Sequence, residues 1–120
     1  MLIREKWGGG MDLPANPVET TWEIIGNKWK IMILRELMQG TRRFGELKKS
    51  ITRISQKALS EQLHDLEKKG IVNRQVYAEV PPRVEYSLTE TGYSLRPVMD
   101  ILWAWGEIYQ TRQLRPYEHH

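Results

Sequence analysis

Apolar residues recur along this chain first at helical spacing, then at alternate positions, then at helical spacing again. Asn16, Pro17 and Glu19 predict a helix start, with Asn as N-cap and Pro in the first turn, and the helix runs to about Ile25 before Gly26 breaks it. A second helix is predicted from about Lys28 to Met38, ending at Gly40. Its apolar surface (Trp29, Met32, Ile33, Leu34, Leu37, Met38) is broad enough to sit centrally under the other elements. From Arg42 the pattern predicts two short helices and then a two-stranded hairpin. The second of those helices, Ser55 to Lys69, places Leu59, Leu63 and Leu66 at i, i+4 and i+7, with Lys57, Ser60, Glu61, His64 and Lys68 on the opposite face. Ser55 can cap it and Gly70 can end it.

Ile71 to Tyr77 then reads as a strand, and Val84, Tyr86 and Leu88 alternate with Glu85 and Ser87 in another. Between them Pro81 and Pro82 stiffen the tip, Ala78 to Pro82, because neither can donate to a strand ladder. Thr89 is expected to cap a last helix from Glu90 to about Gln110, with Leu95, Val98, Leu102, Trp105 and Tyr109 at helical spacing. Pro97 predicts a kink or restart near Tyr93 to Arg96. The fold class is therefore mainly α with a small β wing (α+β), a winged helix-turn-helix. One domain spans 16–110, preceded by a disordered segment 1–15 with three consecutive glycines and followed by a flexible tail 111–120. Met11 is an alternative start, and Glu118, His119 and His120 read as remnants of a purification tag, the histidines with no metal role.

Composition narrows the class. At 120 residues, 40% hydrophobic and 28% charged, the chain fits one globular domain. No apolar run approaches the ~18 residues that would span a bilayer, and residues 1–15 lack the apolar core of a signal peptide, so a cytoplasmic location without membrane contact is expected. The chain has no cysteine, which excludes a disulfide, a thiolate metal site and a thiol switch within it. No phosphate loop, metal-ligand spacing, carboxylate pair or nucleophile motif is present, so neither an enzyme nor a cofactor is expected.

Charge is distributed unevenly. Arg42, Arg43, Lys48, Lys49, Arg53 and Lys57 stand against Glu46 alone between 42 and 57, a local +5 in a chain of +3, so the rest is net acidic. Such an asymmetry suits a protein that offers one face to phosphates. Lys28 and Lys30 could reach a phosphate or simply be solvated. Arg83, beside the prolines, could point into a minor groove or at a phosphate, or pair with Glu79 or Glu85 within the hairpin; both readings stand at this stage.

The segments IGNKWKIMIL, RRFGELKKSI, ISQKALSEQLHDLEKKGIVNR and above all EVPPRVEYSLTETG resemble the HxlR-type regulators, a bacterial winged-helix group related to the MarR regulators. The likeness spans Asn16 to Gly106. It implies a homodimeric, sequence-specific regulator, a repressor of nearby genes, bound to pseudo-palindromic double-stranded DNA. The recognition helix would enter the major groove and the wing, 71–88, would lie on the flanking DNA. Base contacts would fall to Ser55, Gln56, Lys57 and Ser60, and backbone contacts to Arg42, Arg43, Lys48 and Arg83. Gln can bridge adenine N6 and N7, and Lys can donate to guanine O6 or N7. Several members of this group carry a sensing cysteine just before the first helix, a position held here by Asn16. Met32 and Met38 read as core, which argues against methionine oxidation as a substitute.

The short domain cannot readily cover Ile101, Leu102, Trp105 and Ile108 alone, so the first and last helices are expected to pack against their mates in a symmetric dimer. Trp22, Trp29, Trp103, Trp105 and Tyr109 form either that interface or a pocket for a small-molecule inducer, and aromatics at helical spacing more often serve the former. The alternative function is a winged-helix module whose basic face binds an acidic protein. It differs in not needing Gln56 and Lys57 at the head of the helix.

Overall fold

The computed structural model describes residues 16–113. The predicted segment 1–15 and residues 114–120 of the predicted tail lie outside the described residues. The elements are α1 (Pro17–Ile25), α2 (Lys28–Met38), β1 (Arg42–Arg43), α3 (Phe44–Ser50), α4 (Gln56–Lys68), β2 (Val72–Tyr77), β3 (Arg83–Leu88), α5 (Glu90–Tyr93) and α6 (Arg96–Gln113).

Helix starts follow the caps. Asn16 Oδ1 accepts from the Glu19 amide at 2.9 Å, Asn27 Oδ1 from Lys30 at 2.9 Å, and Ser55 Oγ from Ala58 at 3.0 Å. Each satisfies an amide that the first helical turn leaves unpaired. α4 ends as its Gly70 suggested: at φ +74 the chain turns left-handed, and the Gly70 and Ile71 amides bond back to the Glu67 and Leu66 carbonyls at 3.0 Å each. Ile71 and Leu66, joined by that turn, are both buried in the core.

Helix α2 is the hub, touching α1, α3, α4, α6 and β3. Its Ile33, Leu34 and Leu37 are fully buried together with Leu47 of α3, Ile51 and Ile54 of the turn, and the Leu59, Leu63 and Leu66 stripe of α4. Met32 is a correction. It faces solvent, because α2 has more apolar positions than one core can take, while Met38 is partly buried against that core.

The sheet has three strands, not two. β1 pairs antiparallel with β3 (Arg42↔Tyr86, Arg43↔Glu85), giving the order β1-β3-β2. Arg42 and Arg43 therefore precede the first short helix and form a strand of their own. The hairpin register runs from Val72↔Leu88 to Tyr77↔Arg83. At its base Thr89 Oγ1 donates to the Gly70 carbonyl (2.6 Å) and accepts from the Gly92 amide (3.0 Å), so one hydroxyl joins the exit of α4 to the start of α5. Gly92 packs so closely there that a Cβ would lie 2.3 Å from the Ile71 carbonyl oxygen.

The restart anticipated at Pro97 is present as the break between α5 and α6. The last helix continues to Gln113, three residues past the predicted end. Thr111, Arg112 and Gln113, expected in the tail, are helical because no Gly or Pro interrupts the chain there. Most of α6 lies outside the core. Among its residues only Met99 is buried, whereas Ile101, Leu102, Trp103, Trp105, Ile108 and Tyr109 are exposed, as are Val18 and Trp22 of α1. No helix among the described residues is long and apolar enough to cross a membrane.

Candidate nucleic-acid interface

Helix α4 turns its leucine stripe into the core and leaves Gln56, Lys57, Ser60 and His64 exposed. The spacing causes this: Lys57, Ser60 and His64 recur at i, i+3 and i+7 on the side away from Leu59, Leu63 and Leu66, and Gln56 is exposed at the open first turn. The exposed side is thus a short row of donors and acceptors on a rigid helix, suited to the edges of bases. Ser55 is exposed too, but its oxygen is engaged as the cap of α4. Its hydroxyl hydrogen can still be donated outward.

The basic residues divide by strand pleat and burial. Neighbouring positions on a strand point to opposite faces, and paired residues share a face. Arg42 therefore shares the side of buried Tyr86, is half-buried itself, and stands 4.0 Å from Glu36 of α2. Arg43 points to the outer face with Glu85 and Arg83 and is exposed. Its amide donates to Glu46 at 2.8 Å, which starts α3. Lys48 is half-buried on α3, and Lys49 beside it is exposed.

Arg83 sits within the wing's own charges. Its guanidinium lies over the Tyr77 ring at 4.0 Å, as their cross-strand pairing requires, with Glu79 at 3.2 Å and Glu85 at 3.6 Å. Of the two readings the sequence allowed, the intradomain pair is the arrangement present in the free chain.

Lys30 is a further correction. It does not face phosphate: it is 7% exposed and ion-paired with Asp65 of α4, to which Lys69 also donates at 2.9 Å. Partial burial raises the Asp65 carboxyl, but the bonds from Lys30 and Lys69 outweigh it and hold the group below the ordinary carboxylate range. Lys28 is exposed over the Trp29 ring at 4.7 Å. The sequence carried one sign of this network, the i, i+4 spacing of Asp65 and Lys69; nothing local marked Lys30 as their partner.

Among the described residues, Trp22, Trp29, Trp103, Trp105 and Tyr109 lie in separate surroundings. A groove of about 410 Å³ between α2 and α6 is lined by Ile31, Met38, Met99, Leu102 and, of the five aromatics, Trp103 alone. Arg35 stacks on that Trp103 ring at 3.4 Å. Trp105 stacks on Tyr109 at 5.2 Å, Trp29 packs against the core, and Trp22 is exposed on α1.

Comparison with known proteins agrees with this architecture. The chain is 48% identical over 101 residues to the HTH-type transcriptional regulator YdeP of Bacillus subtilis, covering 84% of this chain and 79% of YdeP. Among solved structures, the HTH-type transcriptional regulator YtcD matches with a TM-score of 0.76 at 48% identity, over 80% of this chain and 98% of that one. The redox regulator HypR in its reduced form matches with a TM-score of 0.77 at 44% identity, over 79% and 94%. Residues 24–114 match the model of the HxlR-like helix-turn-helix family. With its core, its exposed helix α4 and its three-stranded wing all in that pattern, the chain belongs to the HxlR-like helix-turn-helix family, whose members are DNA-binding transcriptional regulators and not enzymes.

Proposed function

We propose that the chain works as a homodimer that binds a pseudo-palindromic operator and represses the genes beside it. α4 enters the major groove and the wing lies on the flanking backbone. The observation that carries this reading is the free face of α4, where Gln56, Lys57 and Ser60 project from a helix whose opposite side is fixed in the core. Gln56 and Lys57 read bases, and Ser55 and Ser60 serve a base or a phosphate. Arg43, Lys48 and, once released from its acids, Arg83 hold the backbone. Arg42, drawn toward Glu36, contributes less.

Dimerisation is supported by the apolar faces of α1 and α6, which no element among the described residues covers. HypR is a redox regulator. The present chain has no cysteine, and Asn16 is a helix cap, so any inducer acts on it without covalent capture by cysteine.

The test is fluorescence anisotropy on labelled duplex from upstream of the chain's own gene against scrambled duplex, over a range of salt. The expected result is selective binding that weakens steeply with salt, since phosphate contacts release counterions. Equal, weak binding to duplexes of every sequence, including those from a random pool, would refute the reading and favour an acidic protein partner.

A further inference from the structure

A third side of α4, neither leucine stripe nor base-reading row, carries a set of polar contacts outside the DNA interface. Gln62, Asp65 and Lys69 recur at i, i+3 and i+7, and all three are engaged by the junction of α1 and α2. Asn27 Nδ2 donates to Gln62 Oε1 at 3.2 Å. Lys30 Nζ binds Asp65 Oδ2, and Lys69 Nζ donates to the same oxygen at 2.9 Å. Both ammonium groups also reach the Glu23 carbonyl in the last turn of α1, at 3.5 Å for Lys30 and 3.0 Å for Lys69. That carbonyl belongs to the last turn of a helix, where it lacks an intrahelical partner and where positive charge is favoured.

We propose that Asp65, bridged by Lys30 and Lys69 to Glu23, is a positioning residue for DNA reading: it fixes the roll of α4 about its own axis relative to α1. The inference rests on α4 being the base-reading helix. The leucine stripe decides which side of α4 faces inward, but apolar contact is non-directional and leaves a small roll nearly free. Hydrogen bonds are directional and weaken steeply off axis. A roll of ~10° carries a side-chain tip ~6 Å from the helix axis through ~1 Å, which exceeds the distance window of a hydrogen bond to a base edge.

Stability alone does not account for this arrangement. Burying an ammonium costs desolvation energy that its ion pair only partly returns, and Lys30 is buried in a region already rich in leucine and isoleucine while its partner Asp65 is half-exposed. The clamp also ties the base-reading helix to α1, whose other side exposes Val18 and Trp22. A displacement of α1 is thereby passed to α4 through Lys69 directly and through Lys30 and Asp65.

The experiment uses a duplex selected from a random pool by the wild-type chain, and a scrambled duplex. If selection yields no preferred sequence, α4 is not a base reader, and that failure belongs to the functional assignment. With a selected duplex in hand, Asp65→Asn and the double variant Lys30→Met/Asp65→Leu are compared with wild type for thermal midpoint and for the ratio of the two affinities. The expected result is a ratio at least tenfold lower in both variants, with scrambled-duplex affinity little changed. The double variant should nonetheless recover the wild-type midpoint, and a stable protein that reads poorly separates positioning from folding. A wild-type ratio in either folded variant overturns the proposal.

Discussion

Replacing Trp105 with alanine tests where two copies meet. Trp105 is 65% exposed and touches Tyr109 on its own helix, so the change leaves the core of the single chain intact. A tryptophan offers up to ~250 Å², so a mate that covered the exposed part would bury roughly 160 Å² per copy, worth about 4 kcal/mol at the usual apolar coefficient. Truncating a hot-spot residue, a class in which tryptophan is enriched, costs ~2 kcal/mol or more, and a twofold interface contains each residue twice. The dimer should therefore lose about 4 kcal/mol or more, raising its Kd roughly a thousandfold. Sedimentation equilibrium over a wide concentration series measures both constants. Circular dichroism confirms that the variant is folded. An unchanged association constant, or a wild-type chain that stays monomeric throughout, would refute the reasoning that α6 is covered by a second copy.

Three other outcomes are expected. Gln56→Ala and Lys57→Ala should each reduce discrimination between operator and scrambled duplex by about 1–3 kcal/mol, read by competition anisotropy; no change in either would remove α4 from base reading. Gly92→Ala should lower the thermal midpoint by well over 5 °C, since a Cβ 2.3 Å from the Ile71 oxygen forces backbone to move and 1 kcal/mol is worth about 4–8 °C in a domain of this size. Asp65, depressed in the folded chain, stabilises above the unfolded carboxylate value of 3.8, and this contribution is lost as pH falls through the lower folded value. Urea melts should show Asp65→Asn less acid-sensitive than wild type below about pH 4, with a constant difference between the two at higher pH; parallel curves throughout would argue against the linkage.

Where one element decides its own structure, the sequence was readable. The leucine stripe of α4, the caps at Asn16, Ser55 and Thr89, and the break at Pro97 are each set within a few residues, and each is found as expected. β1 was not legible because two arginines are too short to show alternation, and they become a strand only by pairing with Tyr86 and Glu85 more than forty positions away. The burial of Lys30 depends likewise on Asp65, thirty-five residues on, so composition alone suggested a solvated lysine. Arg42 and Arg43 looked equivalent until the pleat turned one toward Glu36 and the other outward. The exposed polar face of α4 was legible because helical spacing separates most of it from the core. The clamp behind it was not, since it joins three helices.

The wing arginine has a bearing on the order in which the protein meets DNA. Arg83 already holds two carboxylates, and with Glu79 and Glu85 it forms a cluster of net charge −1. At a distance such a cluster does not attract a duplex. The long-range pull comes instead from the exposed Arg43, Lys49, Arg53 and Lys57. An isolated anion offers too little to displace Glu79 and Glu85. A duplex, with one charge per ~1.7 Å of its axis, offers a dense row. On the proposed function, Arg83 reaches phosphate only by exchanging a carboxylate for it, so its contact forms after the exposed basic residues have drawn the duplex in.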